Sequence, residues 1–392
     1  MTTATYDICI IGAGPGGLHA GAECARNGLT TIILDKKKTV GRPVHCGECL
    51  SAAAVQNTGL DLPAEVIAQK VRGVRIVFPD GSARKVIESG YVLNKDKFEQ
   101  WLAHKACLQG CLIGLNDVVC DLKCKDGRWE VSMKSGERYF AKMIIDASGA
   151  HSVANKCLRL NPPYQTQTGL QYTVDGIETG SFLNFYLWPY MAPGGYVWMI
   201  PKGGKRANVG LVTSETSGMK AKLNRFFSQA GVKKYKITKI SGGRIPVSGP
   251  LTATFTNRLL IIGDAAGFTS PVFKGGTYLA LKSGYLAASV AVDALKNNDF
   301  SEKRFSGYQR LWKQHFPNYK ALLKGRRLLN DFPESRLNML ARYMPDNVET
   351  ISVRQRVLIG LEILFTNPAL LIRGESQIIK AFELSRAHWY GW

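Results

Sequence analysis

With 392 residues, 45% of them hydrophobic, the chain can bury a large core and fill two or three closely joined domains. Lys and Arg number 51 against 30 Asp and Glu; the net charge of +21 is spread over many segments with no recognition motif, which excludes nucleic acid and leaves a solvated basic surface, anionic lipid headgroups or an acidic protein. A short first apolar run without a basic lead, no run of about 18 apolar residues, and nine scattered cysteines point away from a signal peptide, a membrane span and a disulfide scaffold, toward a reduced cytosol.

Residues 7–17, DICIIGAGPGG, read as a strand running into a glycine turn that opens a helix. Backbone N–H groups at such a helix start face a pyrophosphate, and Gly12, Gly14, Pro15, Gly16 and Gly17 keep side chains out of its way. A second apolar strand, 31–35, ends in Asp35, roughly 20 residues past the glycines, where a carboxylate accepts hydrogen bonds from the adenosine ribose. Residues 143–149, MIIDASG, read as a strand returning to the nucleotide.

The strand 259–262 ends in GDAAG, and a small-residue helix begins after Pro271, Gly275 and Gly276. That turn fits a second part of the same cofactor, with Asp264 on ribityl hydroxyls and the helix start at the pyrimidine end of a flavin, so the dinucleotide is read as FAD. Only one dinucleotide-binding unit is evident, which argues against a permanently bound NAD(P)H. Phe98, Trp101, Leu102, Lys105 and Ala106 recur at helical spacing.

Runs such as 74–78 and 182–188 alternate with period two, the pattern of an antiparallel sheet with one buried face. The expected architecture is α/β: a discontinuous Rossmann-type FAD-binding domain at 1–42, 90–155 and 256–298, an antiparallel-sheet substrate domain at 43–89 and 156–255, and a helical C-terminal region at 299–392. In that region 357–365 and 368–372, flanked by Arg354, Arg356 and Arg373, read as paired amphipathic helices, either packed in the core or lying in a bilayer interface. Trp389, Tyr390 and Trp392 suit an interfacial belt or simple docking.

Residues 193–201, PGGYVWMIP, resemble the PxxYxWxFP signature of the FAD-dependent geranylgeranyl reductase family, especially its archaeal members, with Ile200 in place of phenylalanine. The loop 43–48, PVHCGE, is similar to the family's cysteine-bearing loop beside the flavin, and the likeness runs from Tyr6 to about Leu295. It implies FAD contacts from Cys46, Gly47, Lys95 (where arginine is common), Asp264, Gly276 and Thr277 (in place of isoleucine), and a fold like that of flavin hydroxylases. It also implies a charge-free aromatic cavity lined by Tyr172, Tyr186, Trp188, Tyr196 and Trp198, in which an isoprenoid chain gains roughly 0.8 kcal/mol per buried CH₂.

The implied reaction is reduction of isoprenoid C=C bonds in membrane lipid precursors. An isolated alkene needs a proton as it takes the hydride of reduced flavin N5, and Cys46 is the expected donor, kept protonated by apolar surroundings. Ferredoxin or NAD(P)H is expected as transient electron donor, and a monomer resting peripherally on the cytoplasmic membrane surface as the working form. No metal site is expected, although Cys107 with Cys111 and Cys120 with Cys124 are closely spaced. Three alternatives stand: a flavin monooxygenase or halogenase, a dithiol-disulfide reductase using Cys46 and Cys49, and a noncatalytic electron- or lipid-carrying role.

Overall fold

The protein is described here as a computed structural model over residues 5–348 and 375–392; the paired helices expected at 357–365 and 368–372 lie outside the described residues. Two sheets organise the chain. The first runs in the order Phe255–Thr256, Leu259–Ile261, Arg138–Asp146, Thr5–Ile11, Thr31–Asp35, Leu112–Leu115, parallel except at its first strand, with Arg128–Met133 attached antiparallel to Arg138–Asp146 and Val119–Lys125 antiparallel to Arg128–Met133. Thr31–Asp35 is buried at every position, as parallel strands covered on both faces must be. Helices Pro15–Arg26 and Thr277–Lys296 cross in close contact: a Cβ on Gly284 would stand 2.4 Å from the Gly16 carbonyl oxygen.

The second sheet runs Lys236–Pro246, Thr166–Asp175, Arg206–Thr213, Tyr196–Pro201, Phe182–Tyr186, Ile67–Val77, Ala83–Leu93, Asn347–Val348, with Cys49–Ser51 beside Ala83–Leu93. It is antiparallel except at two seams: Phe182–Tyr186 lies parallel to Ile67–Val77, and Asn347–Val348 parallel to Ala83–Leu93. The first seam has a topological cause. After Leu93 the chain leaves for the nucleotide-binding sheet and returns through Thr166–Asp175, and so long a crossover permits parallel pairing where a hairpin does not. Strand Ala83–Leu93 also carries this sheet past the expected boundary at 89/90.

One face of the second sheet is covered by helix Met219–Gln229 through Leu223, Phe226 and Phe227. The other is covered by helices Tyr319–Asp331, Glu334–Tyr343 and Glu375–Glu383, with Trp392 in the same layer. The terminal aromatics dock: Tyr390 and Trp392 are buried, and Ser51 N–H donates to the Gly391 carbonyl at 3.0 Å. No helix among the described residues is long and apolar enough to cross a membrane.

Candidate active site

Gly12 has φ +111°, and a Cβ there would stand 2.4 Å from the Ala147 carbonyl oxygen, so only glycine makes this turn. Gly14 caps helix Pro15–Arg26 without a side-chain hydrogen bond, and a Cβ on it would meet nothing within 4 Å. Gly16 and Gly17 face inward, against Ala280 and Gly12. The helix start therefore presents uncapped N–H groups to open space, the geometry that receives a phosphate. Asp35 is buried at the end of its strand; its Oδ2 accepts from Ala13 N–H at 2.6 Å and its Oδ1 from Lys37 N–H at 2.8 Å.

Asp264 sits in the turn Gly263–Ala266, half-buried, and its carboxylate meets no donor among the described residues. Burial pushes its pKa up to about 6, against the pull of the Lys95 ammonium. Gly276 caps helix Thr277–Lys296, and a Cβ on it would lie 3.0 Å from Asp264 Oδ1. An unmet carboxylate and an open glycine turn fit FAD: Gly14 and its neighbours would hold the pyrophosphate, Asp35 the ribose and Asp264 the ribityl hydroxyls.

Loop 43–48 packs where the second sheet is stripped to glycine. Gly210 pairs with both Trp198 and Gln171, and a Cβ on it would stand 2.3 Å from Trp198 Cζ2, so the indole lies across Gly210 and reaches Gln171. Trp198 Nε1–H donates to Gln171 Oε1 at 3.0 Å, and Gln171 Nε2–H donates to the Cys46 carbonyl at 3.1 Å. Cβ positions on Gly47 and Gly243 would lie 3.1 Å from Ile200 and 3.5 Å from His45. His45 is exposed; partial burial, then Lys37, hold its pKa below the ordinary value.

Glu48 adopts φ +72°, a conformation that costs a residue with a side chain about 1 kcal/mol or more. It turns the Glu48 N–H back onto Cys46 Sγ at 3.2 Å and sends the carboxylate inward. There Glu48 Oε2 accepts from Lys202 Nζ at 2.5 Å and from Asn208 Nδ2, and Oε1 accepts from Lys95 N–H at 3.2 Å. Lys95 Nζ pairs with Glu99 Oε1 at 2.7 Å. Buried, charged side chains thus underlie the loop, and they are tolerated because each is paired.

Burial pushes the Cys46 thiol up; the Lys95 ammonium and the Glu48 N–H pull it back, and the Glu48 and Glu99 carboxylates add to the rise. Lys95 is held above its ordinary pKa although burial opposes its charge, because Glu99, Cys46 and Glu48 outweigh that burial. Cys49 is a free thiol pushed well above its usual value by burial.

The five expected lining aromatics do not share one face. Tyr196 and Trp198 belong to the layer beneath the C-terminal helices, with Phe185, Ile200, Phe273 and Trp392. Tyr172, Tyr186 and Trp188 point to the opposite face, into the core under helix Met219–Gln229. Tyr186 meets Phe226 edge-on at 4.8 Å, and Trp188 Nε1–H is spent on the Phe78 carbonyl at 2.9 Å. Strand pairing explains the split: Phe185, not Tyr186, stands opposite Trp198. The Tyr196 hydroxyl donates to the Phe273 carbonyl, tying the sheet to the loop before Gly275.

Residues 7–157 match the family model described as FAD dependent oxidoreductase, and residues 165–245 match that of the geranylgeranyl reductase catalytic domain. The digeranylgeranylglycerophospholipid reductase of Methanocaldococcus jannaschii is 31% identical over 383 residues, which span 93% of this chain and 96% of that protein. The chain belongs to the geranylgeranyl reductase family. It is an FAD-dependent oxidoreductase. A second archaeal relative, digeranylgeranylglycerophospholipid reductase 2 of Methanopyrus kandleri, is 29% identical over 387 residues, 93% of this chain and 98% of that protein. Among solved structures, a geranylgeranyl bacteriochlorophyll reductase-like protein from Thermoplasma acidophilum superposes with a TM-score of 0.85 at 28% identity, covering 95% of this chain and 99% of that one. A flavin-dependent brominase, 20% identical with a TM-score of 0.68 over 86% of this chain and 90% of its own, shares the fold.

Within this geranylgeranyl reductase the catalytic-domain match includes the strands that carry Gln171, Trp198 and Asn208, and Lys202 just past the second of them. Sequence reasoning missed Gln171, Glu48, Lys202, Asn208 and Phe185. For Gln171 a signal existed, because it alternates with Tyr172 on a strand whose other face is apolar.

Proposed function

We propose that this reductase saturates C=C bonds of geranylgeranyl chains on membrane lipid precursors, a reaction on CH–CH groups in which Cys46 supplies the proton. FAD, when bound and reduced, would supply the hydride from its N5. The observation that carries the reading is the placement of Cys46: its thiol is raised by burial and fixed by the Glu48 N–H, and its main-chain carbonyl is joined through Gln171 to Trp198 in the apolar aromatic layer. Tyr196 and Trp198 line the hydrocarbon's path; Lys95, Gly47, Gly276 and Thr277 stand on the cofactor side.

Cys46 acts as a general acid. Burial keeps the thiol protonated until an acceptor arrives, and the Lys95 ammonium with the Glu48 N–H steadies the sulfur as the proton leaves. Tyr196 is not the donor, because its hydroxyl is committed to the Phe273 carbonyl and burial drives its pKa far up. The raised thiols of Cys46 and Cys49 also speak against dithiol exchange, which uses depressed ones. A ferredoxin or a reduced nicotinamide serves as transient donor, and the basic monomer works on the cytoplasmic face of anionic membranes.

Anaerobic photoreduction followed by addition of a geranylgeranyl lipid tests this. The lipid should reoxidise the flavin and gain two hydrogens per bond, seen by mass spectrometry. Flavin that stays reduced until air is admitted refutes the reading in favour of oxygen chemistry.

A further inference from the structure

Each C=C bond that is saturated takes the proton of Cys46, so repeated turnover needs the thiol refilled every time. A hydrocarbon lying against the loop shuts water away from the sulfur on that side, and the refill must come from behind the loop. The neighbouring His45 is turned elsewhere, its ring engaged by the Gly242 main chain.

Behind the loop a file of charged side chains runs to the surface. Glu48 touches both ends of its first step, with its N–H on Cys46 Sγ and its Oε1 accepting from Lys95 N–H, each at 3.2 Å. Lys95 Nζ meets Glu99 Oε1 at 2.7 Å, and Glu99 Oε2 lies 3.7 Å from Lys37 Nζ. Side-chain exposure rises along the file, from 6% at Lys95 through 10% at Glu99 to 26% at Lys37. Helix Lys95–Leu108 sets the middle pair, because Lys95 and Glu99 stand one turn apart, and Asp35 holds Lys37 in place by accepting its N–H at 2.8 Å. The order is sulfur, ammonium, a carboxylate with one oxygen for each neighbour, and an ammonium at water. Of the other charges nearby, Lys202 is committed to Glu48 Oε2 at 2.5 Å, and Asp264 faces Lys95 from the cofactor turn. After burial, the Lys95 ammonium has the largest effect on the Cys46 thiol; behind Glu99, Cys46 is the next charge that holds Lys95 protonated against its burial.

We propose that Lys95, Glu99 and Lys37 return a proton from solvent to Cys46 between turnovers. As the alkene carbon gains its C–H bond, the Cys46 S–H bond breaks and leaves a thiolate. Lys95 gives that thiolate an ammonium proton and becomes a neutral amine. Glu99 takes a proton from Lys37 on Oε2, turns about its last bond and hands it to the Lys95 nitrogen, and water reprotonates Lys37. One proton enters from solvent and no electron moves. The assignment rests on the general-acid reading of Cys46 above; the three relay groups act through Cys46 and touch no reacting carbon.

Two variants of the FAD-loaded protein test this: Glu99→Gln, which cannot carry a proton, and Lys37→Gln, at the half-buried mouth where the fold is not at risk. With excess chemical reductant and a geranylgeranyl lipid, each should saturate one bond per protein at nearly the parent rate, because Cys46 starts protonated. The following bonds should then slow, by about 10²-fold in Glu99→Gln and by less in Lys37→Gln. Imidazole, a small proton carrier, should restore part of the later rate, which a merely structural defect would not allow. A second measurement needs no turnover. In oxidised, FAD-loaded protein with a phytanyl lipid filling the pocket, the infrared S–H band of Cys46, assigned by its loss in Cys46→Ser, should exchange to S–D in D₂O more slowly in both variants than in the parent. Equal exchange in all three proteins, or a rate already slowed at the first bond, overturns the relay. Slowed exchange in a protein that reduces no alkene supports the relay and refutes the functional reading alone.

Discussion

Gln171→Leu removes a side chain that joins the aromatic layer to the loop of the proposed proton donor. Leucine nearly preserves the volume, so the loss is one of hydrogen bonds. Trp198 Nε1–H, buried, loses its acceptor, at about 1–3 kcal/mol; the Cys46 carbonyl lies in a half-buried loop where water takes over, adding about 0.5–1.5 kcal/mol. Urea unfolding of the FAD-loaded variant should therefore show about 2–4 kcal/mol of lost stability. Trp198→Phe, which leaves only Gln171 Oε1 unmet, should cost less on this bond's account, and the double variant should be less than additive by about 1 kcal/mol. In single-turnover flavin reoxidation, Gln171→Leu should slow the alkene step with little change in FAD affinity, because the Cys46 main chain is no longer tied to the aromatic layer. Full additivity of the two substitutions, or an unfolding midpoint unmoved in Gln171→Leu, would refute the bridge.

Cys46→Ser should bind FAD normally and reduce alkenes about 10²–10³-fold more slowly, the usual scale of a lost general acid; unchanged anaerobic turnover removes Cys46 from the chemistry. Lys95→Met should shift the pH midpoint of Cys46 alkylation up and Glu48→Gln should shift it down, since the ammonium lowers the thiol's pKa and the carboxylate raises it; shifts of the same sign defeat the electrostatic account. In FAD-free protein Asp264 keeps its proton to about pH 6 while the unfolded chain releases it near 3.8, so stability fully present below pH 3.8 is lost as pH rises through 6, about 2 kcal/mol of it between pH 4 and pH 6. Asp264→Asn should flatten that segment of a pH series of urea midpoints; identical slopes exclude Asp264. Trp188→Phe should lower stability without altering preference among isoprenoid chain lengths, whereas Trp198→Phe should alter that preference; a preference moved by Trp188→Phe would put that side chain in the substrate's path.

The nucleotide turn was legible because its constraints are local. Gly12 must adopt a positive φ, Gly14 must stay bare, and the strand carrying Asp35 follows within one helix. The lining was legible only in part. Period-two alternation separates Tyr186 from Phe185 but does not say which parity faces the helices of the tail; strand register and the apolar side of helix Met219–Gln229 decide that, through Phe226 and Phe227. Contacts spanning the sequence were invisible altogether. Glu48 meets Lys202 and Asn208 across 154 and 160 residues, and no local pattern marks either partner.

The buried charges under loop 43–48 answer a problem that an apolar pocket alone leaves open. A thiol raised only by desolvation keeps its proton but resists giving it up, because the thiolate is then as poorly solvated as before. Lys95 and the Glu48 amide oppose that rise from within the same dry region, and they require Glu99 and Lys202 as counter-charges, since an unpaired buried ion would cost more than the fold can supply. The left-handed Glu48 makes this compact: one residue aims its amide at the sulfur and its carboxylate at the balancing lysine. Glycine would adopt that backbone more easily, but it would leave the buried Lys202 with only the Leu93 carbonyl and no counter-charge, so the conformational strain is the lesser penalty.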